Sequence, residues 1–124
     1  MPLTDAGQNL VTQLLVGEAV ASLNNANAHL GVGDSATAFA KAQTDLQGAN
    51  KVRKAMEGGY PTRSTNVMTF RALFGTGEAN FAWNEWGTFN GSSGGSMYTR
   101  LVESLGTKTA AQSWQLTVEV TNTN

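Results

Sequence analysis

The sequence predicts a mainly β fold of the α+β kind, in which an N-terminal helix precedes an antiparallel β-sandwich. The clearest observation is the segment 113–121, where Trp114, Leu116, Val118 and Val120 alternate with polar residues. Such alternation is typical of a strand with one buried and one solvated face. Further alternating segments follow one another at regular spacing with turn residues between them, which is typical of sandwiches and small barrels. The length of 124 residues predicts one domain over the whole chain.

The N-terminal segment predicts an amphipathic helix. Thr4 or Asp5 can cap its first turn, and Gly17 is a stop signal at its end. Apolar residues recur at helical spacing, and we expect this stripe to pack on the sheet. The stripe consists of Leu3, Leu10, Val11, Leu14 and Leu15.

The middle of the chain predicts short elements joined by turns. A strand is expected over 28–34, a loop holding a short helix over 35–48, and a strand over 52–56. The run Gly58-Gly59-Tyr60-Pro61 ends that strand with a strong turn signal.

The second half predicts three strands before the last one. They cover 66–74, 81–89 and 97–105, and glycine-containing segments separate them. Alternation within 81–89 places Glu85 on the same face as Trp83, together with the other odd-numbered residues.

Composition narrows the range of functions. The net charge is −1 and the isoelectric point is about 5.7, whereas a nucleic-acid-binding domain usually carries a clear basic excess. No apolar stretch approaches the roughly 20 residues of a membrane span. We therefore expect neither nucleic acid nor membrane as a partner. Charged residues make up only 14% of the chain, which suits a surface largely used for protein contacts because interface cores are depleted in charge.

Glu85 is the one residue that invites a catalytic interpretation. It lies between Trp83 and Trp86, and a carboxylic acid in an apolar setting can have a raised pKa. A small hydrolase would also need a second carboxylate within reach. The favoured interpretation is a buried carboxylate that pairs with Arg71 or Arg100, or that accepts backbone N–H bonds.

The tryptophans and the single histidine have functional and structural interpretations. Exposed tryptophans can stack on sugars, so a carbohydrate-binding module is the alternative function, although packing in a core or an interface is favoured. His29 lacks partners at metal-ligand spacing, and we expect no metal, cofactor or catalytic residue. The residues expected to serve in packing are Trp83, Glu85, Trp86, Phe89, Arg100 and Trp114.

Several short motifs follow one another along the chain. They are Leu3-Thr4-Asp5-Ala6-Gly7, Leu30-Gly31-Val32-Gly33-Asp34, Thr44-Asp45-Leu46, Arg53, the segment Phe81 to Phe89, Arg100, Lys108 and the final alternating strand. Their order resembles the N-terminal attachment domain of phage tail-collar and tail-fibre proteins. That family typically has a Leu-Thr-x-x-Gly helix, a Val-Gly-Asp turn, a Glu-x-Gly-Leu-Phe strand and a final alternating strand.

The resemblance implies a non-enzymatic module that docks on a phage particle as a symmetric oligomer. Its partners would be other virion proteins, such as the major capsid protein or tail proteins, and it would reside in the virion after assembly in the host cytoplasm. Capsid decoration or cement and a tail-fibre or collar adaptor are both open. The chain ends directly after the attachment-like part, and Thr88 replaces the family's aliphatic residue, so receptor binding is not implied.

Overall fold

The computed structural model describes residues 3–123 and confirms the mainly β class. One helix precedes seven strands, which form two antiparallel sheets. In chain order the elements are α1 (Asp5–Leu15), β1 (His29–Gly33), β2 (Lys51–Ala55), β3 (Thr62–Ser64), β4 (Val67–Phe74), β5 (Ala82–Phe89), β6 (Met97–Thr107) and β7 (Trp114–Thr121).

The two sheets pack face to face around an apolar core. Sheet A has the strand order β2-β1-β5-β6, and sheet B has the order β3-β4-β7. Side chains from both sheets form one buried cluster, because each strand directs every second residue inward. Sheet A contributes Leu30, Val32 and Trp86, and sheet B contributes Phe70, Ala72, Phe74, Val118 and Val120.

The strand register assigns the two faces of sheet A. Val32 lies opposite Trp86 in the β1–β5 pair, and both belong to the inter-sheet core. Their neighbours along the strands, Gly33 and Glu85, are also paired and therefore point to the other face. Residues 34–50, which we call the cover loop, lie over this outer face. The backbone N–H groups of Gln47 and Gly48 in that loop donate to the Glu85 carboxylate.

Helix α1 is anchored to β6 at its first turn. Thr4 is the N-cap: its hydroxyl accepts from the N–H of Gly7 at 2.8 Å and donates to the carbonyl of Met97. Its own N–H donates to the carbonyl of Tyr98 at 3.2 Å. Gly17 has a φ of +78°, which confirms it as the glycine that ends the helix.

The apolar stripe of α1 is only partly covered, so the expected packing of the whole stripe is wrong. Leu10 is buried, but Leu14 is 37% exposed and Leu15 is 82% exposed. The helix contacts the start of β6 through its first turn, whereas Leu14 and Leu15 in its last turn are exposed. Val16 follows with 70% exposure, so three consecutive large apolar residues face solvent.

One expectation about local structure is wrong, and one strand was not expected. The short helix expected within 35–48 is absent from the described chain, because side chains rather than a helical ladder satisfy the backbone there. For example, Gln43 accepts from the N–H of Ala40, and Asp45 accepts from the N–H of Leu46. The strand β3 was not predicted, since it has three exposed residues and no apolar pattern.

Candidate functional site

The Glu85 carboxylate is fully buried and accepts four hydrogen bonds. Its Oε1 accepts from Nε of Arg100 at 2.8 Å and from the N–H of Gln47 at 2.9 Å. Its Oε2 accepts from the N–H groups of Gly48 at 2.7 Å and Ser35 at 3.3 Å. A buried charge is tolerated when its lone pairs are satisfied in this way.

Arg100 continues the network into the first half of the cover loop. It is as fully buried as Glu85. Nη1 donates to the side-chain oxygen of Gln43 at 3.0 Å, and Nη2 donates to the carbonyl of Thr37 at 2.9 Å. One ion pair thus fixes the loop at four points: Ser35, Thr37, Gln43 and the adjacent N–H groups of Gln47 and Gly48. We call Glu85 and Arg100 the buried clamp.

Glycines give the buried clamp its space. A Cβ on Gly33 would lie 2.3 Å from Oε2 of Glu85. A Cβ on Gly48 would lie 2.4 Å from the Asp34 carboxylate and 2.7 Å from the Asp34 backbone nitrogen. The glycines of the Gly31-Val32-Gly33-Asp34 segment therefore serve the close approach of loop and sheet.

The structure corrects the expected face of Glu85. Trp83 packs in the inter-sheet core with ring centroids 4.9 Å from Phe74 and 5.0 Å from Trp114. Glu85 instead points outward under the cover loop. The β5–β6 register shifts between these two residues, so simple alternation does not hold across this part of the strand.

A second polar cluster fastens the far end of the cover loop. Asp45 forms ion pairs with Lys51 at 2.9 Å and with Arg53 at 3.4 Å. Arg53 also stacks over the Phe89 ring, 3.7 Å from its centroid, and donates to the carbonyls of Gly91 and Gly94. The 91–94 loop and the cover loop are therefore held by the same arginine.

The pKa values of three carboxylates, two in the cover loop and one in the turn between β4 and β5, are lowered, which favours the charged form. Burial raises the pKa of Asp45, but the hydrogen bond from Lys51, the N–H of Leu46 and the charges of Lys51 and Arg53 together lower it below its ordinary value. Hydrogen bonds from the side chain and the backbone of Asn50 lower the pKa of Asp34. The hydrogen bond from Lys54 lowers the pKa of Glu78 in the same direction.

Lys108 is a buried lysine bound by neutral acceptors. Its Nζ donates to the carbonyl of Gly75 at 2.6 Å and to the side-chain oxygen of Asn80 at 2.7 Å, and the residue is 1% exposed. It ties the turn that follows β6 to the turn between β4 and β5. Like the buried clamp, it joins segments that are distant in sequence.

The tryptophans do not form an exposed sugar platform. Trp83 and Trp86 are 1% and 6% exposed, and Trp114 is half-buried with its ring inclined at 75° to that of Trp83. A stacking platform would require at least two exposed and coplanar indoles. Phe89 is also buried, in a small cluster with Leu46 and Met97 beneath the cover loop.

The arrangement around Glu85 does not meet the requirements of the hydrolase hypothesis. Glu85 pairs with Arg100 and has no exposed surface, so substrate and water cannot reach its carboxylate. Arg71 lies in sheet B and is not its partner. Five surface depressions of 230–440 Å³ are lined by residues other than the buried clamp.

Metal-ligating groups do not cluster among residues 3–123: no three His, Asp or Glu side chains come together there in a way that could hold a metal ion. The ring Nδ1 of His29 lies 2.8 Å from the carbonyl of Asn27. Within the same range, no helix is long and apolar enough to cross a membrane. Comparisons with protein-family models, with curated proteins and with solved structures found no match.

Proposed function

We propose that this chain is a non-enzymatic structural protein of a bacteriophage particle, which assembles as a homo-oligomer on the capsid or the tail. The observation that carries the proposal concerns the polar residues of the attachment-domain motifs. Thr4, Glu85, Arg100 and Lys108 form internal bonds between segments that are distant in sequence, and Asp45 binds the cover loop to the neighbouring strand β2. Side chains that are used for internal bonds stabilise the shape of the module and are not free for catalysis. This use supports a structural role.

The surface supports the same function. Leu14, Leu15 and Val16 form an exposed apolar cluster at the end of α1, and such clusters are typical of protein interaction sites. The low charged fraction of the chain, 14%, points in the same direction. In a symmetric oligomer each weak contact with the particle is repeated once per subunit, so the whole assembly binds more tightly than one chain.

The test is the location of the chain. Particles produced by the host that carries this sequence would be purified on a density gradient and studied by mass spectrometry and cryo-electron microscopy. We expect the chain in fixed stoichiometry, as density on the capsid lattice or on a tail ring. Its absence from purified particles would overturn the proposal.

A matched pair of variants addresses attachment. Leu15→Asp with Val16→Asp changes exposed residues only, and we expect an unchanged fold but reduced incorporation into particles. Ala19→Asp lies on the same exposed segment outside the apolar cluster and serves as control. Equal incorporation of both variants would show that attachment does not use this cluster.

A further inference from the structure

Four strand edges flank the two sheets, and two of them, together with the first residues of a third, are protected against pairing with another chain. β2 has Lys51, Arg53 and Lys54 within five residues, and β3 is only three residues long. At the start of β6, Leu3 forms a bridge to Thr99 and the N–H of Thr4 donates to Tyr98. Charges, short length and coverage are the usual means by which proteins protect edges.

Among residues 3–123, none of these protections is found at the edge of β7. It runs for eight residues with a regular register to β4, contains no proline and has Glu119 as its single charge. Asn122 donates its N–H to the carbonyl of Asn66, in line with the same register. Because bonded pairs alternate, the even-numbered residues of β7 bond to β4. The odd-numbered residues, Gln115, Thr117, Glu119 and Thr121, therefore direct their backbone N–H and C=O groups to the free edge.

An apolar groove runs beside this edge. β6 and β7 are the end strands of their sheets on the same flank, and the core is incompletely covered between them. Two depressions of about 260 and 330 Å³ lie there. Their apolar lining consists of Trp86, Leu101, Val120, Trp83, Leu105, Trp114 and Leu116. An added strand would satisfy the free backbone groups and would cover this groove.

We propose that β7 pairs antiparallel with β7 of a second copy, which joins the two B sheets into one six-stranded sheet. This pairing would be the interface of the homo-oligomer, and to that extent it rests on the proposed function. The sequence of β7 is complementary to itself when Thr117 lies opposite its own copy. Trp114 then faces Val120, and Leu116 faces Val118, so apolar residues meet on the inner side.

The position of the one charged residue in β7 also favours a second copy as the partner, in the same register. With Thr117 on the two-fold axis, Glu119 lies opposite Gln115, whose amide can donate to a carboxylate. No like charges face each other in this alignment, whereas an alignment centred on Glu119 would oppose two carboxylates. The odd-numbered pairs across the axis also exchange the backbone bonds that the free edge offers.

The experiment measures the mass of the full chain in solution by analytical ultracentrifugation over a range of concentrations. We expect a two-chain species for the wild type. Thr117→Pro removes one edge N–H from each copy but no bond to β4, so the dissociation constant should rise about thirtyfold for two lost hydrogen bonds. Thr117→Val keeps the N–H and should dimerise like the wild type. Circular dichroism checks that each variant is folded.

A charge exchange tests the register independently of proline. Thr117→Lys and Thr117→Glu each place like charges on the two-fold axis and should associate more weakly than the wild type, whereas an equimolar mixture should associate more tightly than either variant alone. A monomeric wild type, or association of Thr117→Lys alone as tight as that of the wild type, would overturn the inference. Presence on particles is a separate measurement: a chain that is monomeric in solution but bound to particles would reject this interface and keep the proposed function.

Discussion

The two faces of sheet A are covered by different chemistry. Its inner face packs on sheet B through apolar side chains such as Leu30 and Trp86, and within the part of the chain that the structure describes no ion pair joins strands of the two sheets. Its outer face is covered by a loop without regular structure, which the buried clamp of Glu85 and Arg100 fixes through directional bonds. In apolar packing the loss of stability grows gradually with the size of the change. In a buried charge network, removal of one member leaves the other charge buried without a partner, and stability falls sharply.

The largest expected effect comes from breaking the buried clamp. Arg100→Leu leaves the Glu85 carboxylate buried without its counter-charge, and we expect a loss of about 3–5 kcal/mol in the free energy of unfolding. Urea denaturation followed by tryptophan fluorescence measures it. The double variant with Glu85→Leu should recover part of the loss, and a double-mutant cycle gives the coupling. A single-variant cost below about 1 kcal/mol would contradict the role assigned to the clamp.

On the inner face, Leu30→Ala should cost about 3 kcal/mol because it leaves a cavity in the inter-sheet core. The same denaturation experiment applies. Leu30→Val removes one methylene group and should cost much less, which would show the graded response of apolar packing. Equal losses for both variants would indicate that the inner face depends on exact shape rather than on buried area.

The next largest loss of stability is expected at the contact of α1 with β6, where the backbone of the strand packs directly on the helix. Gly7→Ala would favour the helix by about 1 kcal/mol on propensity alone. However, the new Cβ would lie 2.3 Å from the carbonyl oxygen of Tyr98, which is backbone and cannot move aside. We expect a net loss of about 2 kcal/mol in thermal unfolding. Asn9→Ala, on the exposed side, is the matched control and should be neutral or slightly stabilising.

The smallest effect is expected at the exposed end of the cover loop. Asp45→Asn removes ion pairs with Lys51 and Arg53 that are partly solvated, and it should cost less than about 1 kcal/mol at pH 7. Since folding lowers the pKa of Asp45, its contribution is present above the ordinary value of 3.8 and is lost as the pH falls through the lower folded value. Unfolding curves at pH 7 and pH 3 check this: the gap between variant and wild type should shrink at pH 3.

The sequence predicted most strands because their signal is local. Alternation in 113–121 and 66–74 identified β7 and β4 within one residue, as each has one face in the core. The side of Glu85 could not be predicted, since the register shift in the β5–β6 pair arises from pairing between distant segments. The choice of Arg100 over Arg71 as partner of Glu85 likewise depends on which sheet each strand joins.

The contacts of the cover loop could not be predicted from the sequence for a related reason. Its backbone groups bond to side chains far along the chain, such as Glu85, and no periodicity marks such bonds. The exposure of Leu14 and Leu15 shows the opposite case. Their spacing fits a buried stripe, but among Leu10, Leu14 and Leu15 only Leu10 is buried in the fold.

The burial of Lys108 makes this side chain a chemical reporter of the native state. Its amine is enclosed by Gly75 and Asn80, whereas Lys41 is exposed on the cover loop. Amine-reactive reagents should therefore label Lys41 quickly and Lys108 only when the turns at 75–80 and 106–109 separate. Labelling of intact assemblies would then distinguish surface coverage at Lys41 from local opening at Lys108.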